Sequence, residues 1–244
     1  MRSRKPRFGW LDALILAAAC GLLGYVLHRA QSHFYYHWDW GLIPGYFARH
    51  DAERGWVLNL LGQGLLATAR LALWGSLLAA LIGGAMGVCR LSRSLFLRLF
   101  SRTYVELIRN VPPLVFIFIF YFFISGQLSP MLEVENRIID AAPETRLVLA
   151  FLFGPPALLP NFLSGLICLA LFEGAYVTEI VRAGIEAVPR GQWEAARALG
   201  LRSDQVMSEV VLPQAVRRMI PALAGQFISL IKDSSLISLI SIQE

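Results

Sequence analysis

Long uncharged stretches of apolar residues alternate along this chain with short segments that are rich in arginine. Leu71–Cys89 has 19 residues without a charge, Val111–Leu132 has 22, and Leu147–Phe172 has 26. A shorter apolar stretch, Ala13–Leu27, follows a basic N-terminal segment. A helix needs roughly 20 apolar residues to cross the hydrocarbon core of a bilayer, which is about 30 Å thick. The pattern therefore predicts an all-α polytopic membrane protein.

Five transmembrane helices are expected. We place them near Ala13–Leu27, near Thr68–Cys89, from about Val111, at about Phe162–Ile180, and from about Ile220. A signal peptide is the alternative for the first stretch, but no small-x-small cleavage site follows it, which favours a retained span. Residues 1–60 then form an N-terminal anchor with an external aromatic segment, and residues 61–244 hold the other spans. The apolar piece Leu147–Phe153 is expected to lie outside or to dip into the membrane.

The basic residues indicate the orientation of these spans. With the N-terminus in the cytoplasm, the inner segments hold 15 of the 22 lysines and arginines. Cytoplasmic loops of membrane proteins carry such an excess. The formal net charge of +5 is therefore explained by membrane topology, and nucleic acid is not an expected partner.

Two lysines, Lys5 and Lys232, are all that the chain contains, and neither lies in a phosphate-binding loop motif. Such a loop needs a lysine within Gly-x-x-x-x-Gly-Lys-Ser/Thr. If ATP drives this protein, a separate subunit must bind it. No His–carboxylate or Ser–His arrangement is visible in the spans either, so we do not expect an enzyme.

Cysteines and histidines give no clear metal site. The three cysteines lie in or beside apolar stretches and are far apart in the sequence: Cys20, Cys89 and Cys168. This pattern predicts small buried side chains and neither a disulfide framework nor a metal motif. His33 and His37 are four residues apart and could share a helix face as metal ligands. Phe34, Tyr35, Tyr36, Trp38 and Trp40 surround them, which favours an aromatic belt at the membrane interface. No metal is expected.

Residues 183–219 form a polar loop that nevertheless contains helix-forming sequence. Gly191–Leu199 favours a short helix, and Gly200 can close it in the left-handed conformation. Ser203 can cap a second helix whose apolar face is Val206, Met207, Val210 and Val211, and Pro213 should end it. Such a pair of helices is either a docking surface for a soluble partner or an ordinary loop folded on its own bundle.

A long motif in this loop resembles a known family. Glu194-Ala195-Ala196-x-x-x-Gly200, nine further residues and Val210-x-Leu212-Pro213 resemble the EAA signature of ABC importer permeases. The wider stretch Ala175–Leu239, together with Tyr104–Leu114, is similar to the polar amino acid permease subfamily. The resemblance covers roughly residues 60–244 and implies a MetI-like ABC permease fold. It also implies a further span after the Lys232–Leu236 region, so the chain is expected to be a fragment.

The resemblance further implies that the loop at 183–219 is a coupling loop seated on a cytoplasmic ATPase, which binds the ATP and magnesium. The expected coupling residues are Gly191, Trp193, Glu194, Ala195, Ala196 and Gly200. Ala195 and Ala196 would allow close approach to the partner, and Trp193 would be an aromatic anchor. Glu194 could pair across the subunit boundary or with Arg197 of its own helix.

Ionisable residues inside a membrane are functional candidates by default. Glu173 and Lys232 are each about 11 residues into antiparallel spans, so we expect their charges to meet near the middle of the bilayer. They either neutralise each other, the preferred interpretation, or receive the ammonium and carboxylate groups of an amino acid. Asp233 must project about 100° away from Lys232. The predicted substrate path comprises Glu173, Tyr176, Lys232 and Asp233.

Small residues recur at four-residue spacing in the second span, at Gly75, Ala79, Gly83 and Gly87. This ridge favours close helix packing. It packs either within the chain, the preferred interpretation, or against a second permease subunit.

Together these features predict a permease subunit of an ATP-driven importer for a polar amino acid, acidic or basic. The implied partners are ABC ATPase subunits, a second permease, an external solute-binding protein and membrane lipid, in the bacterial inner membrane. Another small solute is the alternative cargo.

Overall fold

The computed structural model describes residues 9–33, 39–53, 55–127, 138 and 140–237. The chain divides after Val57 into two compact units. Among the described residues, helices make up nearly all of the regular structure, and one small sheet has two strands.

The first unit begins with a long apolar helix, α1, at Trp10–His33, which is exposed at every described side chain. A short helix α2 (Ile43–Phe47) leads into strand β1 (Ala48–Asp51), which pairs with β2 (Gly55–Leu58). The choice between a metal site and an aromatic belt at His33 and His37 stays a prediction, because these side chains lie outside the described residues.

The second unit is a bundle of helices. Its elements are α3 (Leu60–Arg90), α4 (Leu95–Arg109), α5 (Pro113–Ile119) continued by a wide π-turn (Phe120–Ser125), α6 (Pro143–Phe153), α7 (Leu159–Glu186), α8 (Arg190–Ala198), α9 (Ser203–Gln205) continued by a second π-turn (Val206–Val211), and α10 (Leu212–Ile237). The most buried part of the bundle is α7, which contacts α3, α4, α5 and α10.

Close packing of small residues joins α3 to α7. A Cβ atom added at Gly83 would lie 2.5 Å from Val177, and one at Gly75 would lie 3.3 Å from Leu169. Because the residue numbers rise together on both helices, α3 and α7 run parallel. All four small residues of the ridge are buried against this chain's own bundle. The ridge therefore packs within the chain, and the alternative seam to a second subunit is wrong.

Within the part of the chain that the structure describes, three helical stretches are long and apolar enough to cross a membrane: Trp10–Arg29, Leu60–Arg90 and Pro156–Glu186. A fourth span results if α4 and the Pro113–Ser125 stretch count as one, although these are bent by 107°. The fifth predicted span corresponds to α10, which is helical but is not among these stretches. Its apolar sequence is interrupted by Gln226, Lys232 and Asp233.

The bend between α4 and α5 was not anticipated. It falls at Pro112 and Pro113, because a residue before proline avoids the helical conformation and proline favours the first turn of a new helix. Residues Leu95–Arg109, expected as a cytoplasmic connection, instead form an amphipathic helix that buries Ser101, Val105 and Ile108.

The second helix of the coupling loop differs from its prediction in two respects. Arg202, not Ser203, is the capping residue, and the Gln205 side chain accepts a hydrogen bond from its amide at 3.0 Å. Pro213 does not end the helix, since it lies in the first turn of α10. The preceding turn widens into a π-turn, so the proline ring does not have to fit against a regular turn.

Candidate functional site

The coupling loop contains a short helix, α8, that is closed by a glycine. Gly200 has φ of +82°, and its amide donates to the carbonyl of Arg197 at 2.9 Å. The next amide, of Leu201, donates to Ala196 at 3.2 Å. These two bonds form a Schellman motif, which satisfies carbonyls at the end of a helix. The predicted left-handed closure at Gly200 is confirmed.

One side of α8 packs on the chain's own bundle. Ala196 is only 3% exposed, and Trp193 is half-buried against the same apolar cluster. The buried members of this cluster are Ile185, Val188, Ala196, Val206, Val211, Ala215 and Met219. The expectation that Ala196 faces a partner is therefore wrong, because the helix needs an apolar anchor to its own bundle.

The opposite side of α8 is open. Gly191, Glu194 and Ala195 are exposed, and Leu199 is 82% exposed at the tip of the helix. Among the described residues, Glu194 forms no ion pair, and the alternative pairing with Arg197 is therefore not made. A cleft of about 780 Å³ lies beside this surface, and Trp193 and Glu194 are among its lining residues.

Contacts connect α8, and the residues just before it, to the start of α10. The Gln214 side chain donates to the Gln192 side chain at 3.1 Å, and the Arg218 guanidinium donates to the carbonyl of Ala187. Met219 lies so close to Gly184 that a Cβ atom at the glycine would overlap it. Through Gln192, and through the apolar cluster that Ala196 shares with Ala215, α8 is packed on the start of α10.

Glu173 lies near the midpoint of α7 and is 1% exposed. Its Oε2 atom accepts a hydrogen bond from the side-chain amide of Gln226, and its Oε1 atom has no partner. Lys232 is exposed and forms no ion pair with Glu173. The predicted pairing of these two charges is wrong, because the side of α10 that faces α7 carries Gln226 and not Lys232.

Asp233, rather than Lys232, approaches the Glu173 carboxyl. Gln226 and Asp233 are seven residues apart, two helical turns, and therefore share one face of α10. A small cleft of about 170 Å³ lies beside Glu173 and Gln226 and is lined mostly by apolar atoms, with Ser76 also in its wall. The sequence analysis did not include Gln226. Its position in an apolar stretch, seven residues before Asp233, is the signal that would place both side chains on one face of a helix.

Tyr176, the remaining residue of the predicted path, lies in other surroundings. The Arg109 guanidinium carbon is 5.0 Å from the centre of its ring, and Phe172 packs beside it at 5.5 Å. Tyr176 borders the cluster formed by Ile108, Phe172 and Ala175. The structure thus groups Glu173 with Gln226 and Asp233, and it places Tyr176 with α4.

A network of charges that the sequence did not indicate lies at the coupling-loop end of α7. The Glu179 carboxylate contacts Arg90 of α3 at 3.0 Å and Arg182 at 2.9 Å. Arg182 also contacts Glu186 at 2.6 Å. These pairs fix the end of α3 against α7 beside the coupling loop.

Residues 60–243 match the sequence model of the family described as binding-protein-dependent transport system inner membrane component. The chain belongs to this family of transport permeases. The resemblance to ABC importer permeases and the all-α membrane fold predicted from the sequence are confirmed.

Several relatives of this permease cover most of its length. A Rickettsia typhi protein named for glutamine transport, the permease protein GlnP, is 33% identical over 178 residues, covering 73% of this chain and 69% of the relative. The glutamate/aspartate import permease protein GltK of Escherichia coli O157:H7 is 30% identical over 210 residues, covering 86% and 80%. The crystal structure of an amino acid ABC transporter with histidines is similar at 28% identity and a TM-score of 0.54, covering 75% of this chain and 77% of that one.

Proposed function

We propose that this permease is the membrane subunit of an ATP-driven importer for a polar L-amino acid. The relatives named for glutamine and for glutamate/aspartate support an amino acid as cargo. A second permease subunit, an external solute-binding protein and separate ATPase subunits, which hold the ATP and magnesium, complete the machine. The protein then lies in the bacterial inner membrane with its N-terminus in the cytoplasm.

The observation that carries the proposal is the two-sided coupling helix. One side of α8 is anchored to the bundle through Ala196, while Glu194 and Leu199 are presented outward. An exposed leucine beside an unpaired carboxylate is suited to a complementary groove on another protein.

Movement of α8 would reach the centre of the membrane through α10. Met219 packs against the end of α7, and Gln226 lies seven residues further along, about 10 Å away along the helix axis. A pull by the ATPase on α8 would therefore shift the contact between Gln226 and Glu173. Such a shift would open or close the membrane path on alternate sides.

The path itself would use the polar groups near the midpoint of α7 and on α10. The unpartnered Oε1 atom of Glu173 and the nearby Asp233 can receive an ammonium group. Lys232, exposed on the neighbouring face, can receive a carboxylate, and Tyr176 would border the path on the side of α4.

Co-purification with the ATPase tests the coupling surface. The permease is expressed with the ATPase of its own transport system, and the ATPase retained in detergent is quantified. Glu194→Lys should remove most of the bound ATPase, whereas Glu144→Lys, an exposed carboxylate on α6, should leave it unchanged. Retention of the ATPase by Glu194→Lys, or equal loss in both variants, would contradict the proposal.

Uptake measurements test the cargo. Cells that carry the complete system are supplied with radiolabelled glutamine, glutamate, aspartate, arginine or lysine, with a sugar and a peptide as controls. We expect uptake of at least one of the amino acids and of neither control. Uptake of a control solute alone would identify the alternative, a permease for another small solute with the same coupling loop.

A further inference from the structure

Helix α4 carries three separate stripes of side chains. The first stripe, Ser101, Val105 and Ile108, is buried against the bundle. The second is exposed and apolar, with Phe96 73%, Phe100 53% and Leu107 67% exposed. The third is basic and consists of Arg98, Arg102 and Arg109, which lie between the other two stripes on a helical projection. A helix of this kind lies in the plane of a membrane interface.

A cleft of about 450 Å³ opens beside the basic stripe. Arginines contributed by three helices line it, Arg90 from α3, Arg98 and Arg102 from α4, and Arg182 from α7, together with Glu106 and Glu186. Four positive and two negative side chains line these walls, and Glu179 pairs with Arg90 and Arg182, so the whole group has a net charge of +1. Leu95 and Leu99 form the apolar edge of the cleft, next to the exposed apolar stripe of α4. The cleft therefore offers cations beside an apolar surface.

The arginines of this cleft are only partly neutralised. Arg102 contacts Glu106 at 2.7 Å, Arg182 contacts Glu186 and Glu179, and Arg90 contacts Glu179, so carboxylates hold three of the four guanidinium groups in place. Arg98 forms no ion pair with any residue that the structure describes. The Nη1 atom of Arg90 is buried without a hydrogen-bond partner. A guanidinium carries five N–H donors, so a held arginine can still bind a second oxyanion.

We propose that this cleft binds the phosphate headgroup of an anionic phospholipid. The planar guanidinium group of arginine can donate two parallel hydrogen bonds to the oxygens of a phosphate. Basic pockets between helices on the cytoplasmic side of a membrane bind anionic lipid headgroups. The acyl chains would lie along Leu99 and the apolar stripe of Phe96 and Phe100, which a free phosphate ion would leave uncovered. Glu186 lines both this cleft and the cleft beside α8, so the lipid belongs to the leaflet next to the coupling loop.

Native mass spectrometry of the purified full-length permease tests this site. The protein is titrated in detergent with phosphatidylglycerol or with phosphatidylcholine, which has no net charge. We expect selective binding of phosphatidylglycerol. Arg98→Gln and Arg102→Gln should each weaken this binding about fivefold, the effect of removing one cation near an anionic surface. Arg98→Lys should lose less affinity than Arg98→Gln, because it keeps the charge but not the fork of N–H donors.

Matched variants separate a site from general attraction. Arg146→Gln removes an arginine from α6, away from the cleft, and should leave phosphatidylglycerol binding unchanged. Glu106→Gln removes a negative charge from the cleft and should strengthen binding. Equal binding of the two lipids, equal loss in Arg98→Gln and Arg146→Gln, or displacement of the lipid by millimolar inorganic phosphate would overturn the proposal. These outcomes do not depend on the cargo or on ATPase docking.

Discussion

The side-chain amide of Gln226 on α10 donates a hydrogen bond to the buried carboxylate of Glu173 near the midpoint of α7. The same helix α10 packs Met219 against Gly184 at the coupling-loop end of α7. One helix therefore joins the coupling loop, which is the proposed docking surface, to the buried carboxylate of Glu173. Substitutions at the coupling-loop end of α10 should therefore affect the contact between Gln226 and Glu173, and the reverse.

Charge reversal at Glu173 and Lys232 distinguishes the observed partner from the one predicted. Glu173→Lys should destabilise the fold, because a longer side chain must fit a fully buried site and the Gln226 amide loses its acceptor. Adding Lys232→Glu should not restore the fold, since Lys232 is exposed and does not contact Glu173. Size-exclusion chromatography of the detergent-solubilised protein reports the result. A double variant that elutes as the wild type would show that the two residues pair after all.

Removal of the amide at position 226 should destabilise the bundle. Gln226→Leu leaves both oxygens of the Glu173 carboxylate without a donor, which costs about 1–3 kcal/mol. Ser229→Ala, on an exposed side of the same helix, is the control and should have little effect. Thermal unfolding of the purified protein measures the difference. Glu173→Met combined with Gln226→Leu should recover much of the loss, because no polar group is then left unpaired.

Glycines on α3 differ sharply in their tolerance of a methyl group. Gly83→Ala places a Cβ atom 2.5 Å from Val177 and 2.9 Å from the carbonyl of Gly174, and this overlap should cost about 1–3 kcal/mol. Gly84→Ala meets nothing within 4 Å and should be neutral or slightly stabilising. The same thermal unfolding assay compares them. Equal stabilities would contradict the close packing of α3 on α7.

The closing glycine of α8 should not tolerate a side chain, although there is space for one. Gly200→Ala meets no atom within 4 Å, but φ of +82° costs an L-residue about 1–2 kcal/mol. Gly191→Ala, within the same short helix and equally open, should instead stabilise it by about 0.5–1 kcal/mol. Hydrogen exchange of the coupling loop should accelerate in the first variant and slow in the second. The opposite order would contradict the Schellman closure.

Local patterns were sufficient where a short stretch of sequence decides the structure. The apolar runs predicted α1, α3 and α7, and Gly200 predicted the end of α8. The small-residue ridge predicted close helix packing, which α3 and α7 provide. The arginines of α4 fit a basic connection as well as one side of an amphipathic helix, so that helix does not follow from them. Pro213 predicts the end of a helix, but the π-turn before it accommodates the proline ring and has no clear sequence signal.

The sequence by itself determined that this chain lies in a membrane, that its basic residues gather on particular connections, and that it carries the coupling motif of a transport permease. Apolar length and local backbone preference decide these features, and both are properties of neighbouring residues. Only the tertiary structure decided that Glu173 contacts Gln226 instead of Lys232, that Ala196 faces inward, and that four arginines from three helices line one cleft. Those facts depend on the rotation of each helix about its axis, which packing between distant segments sets.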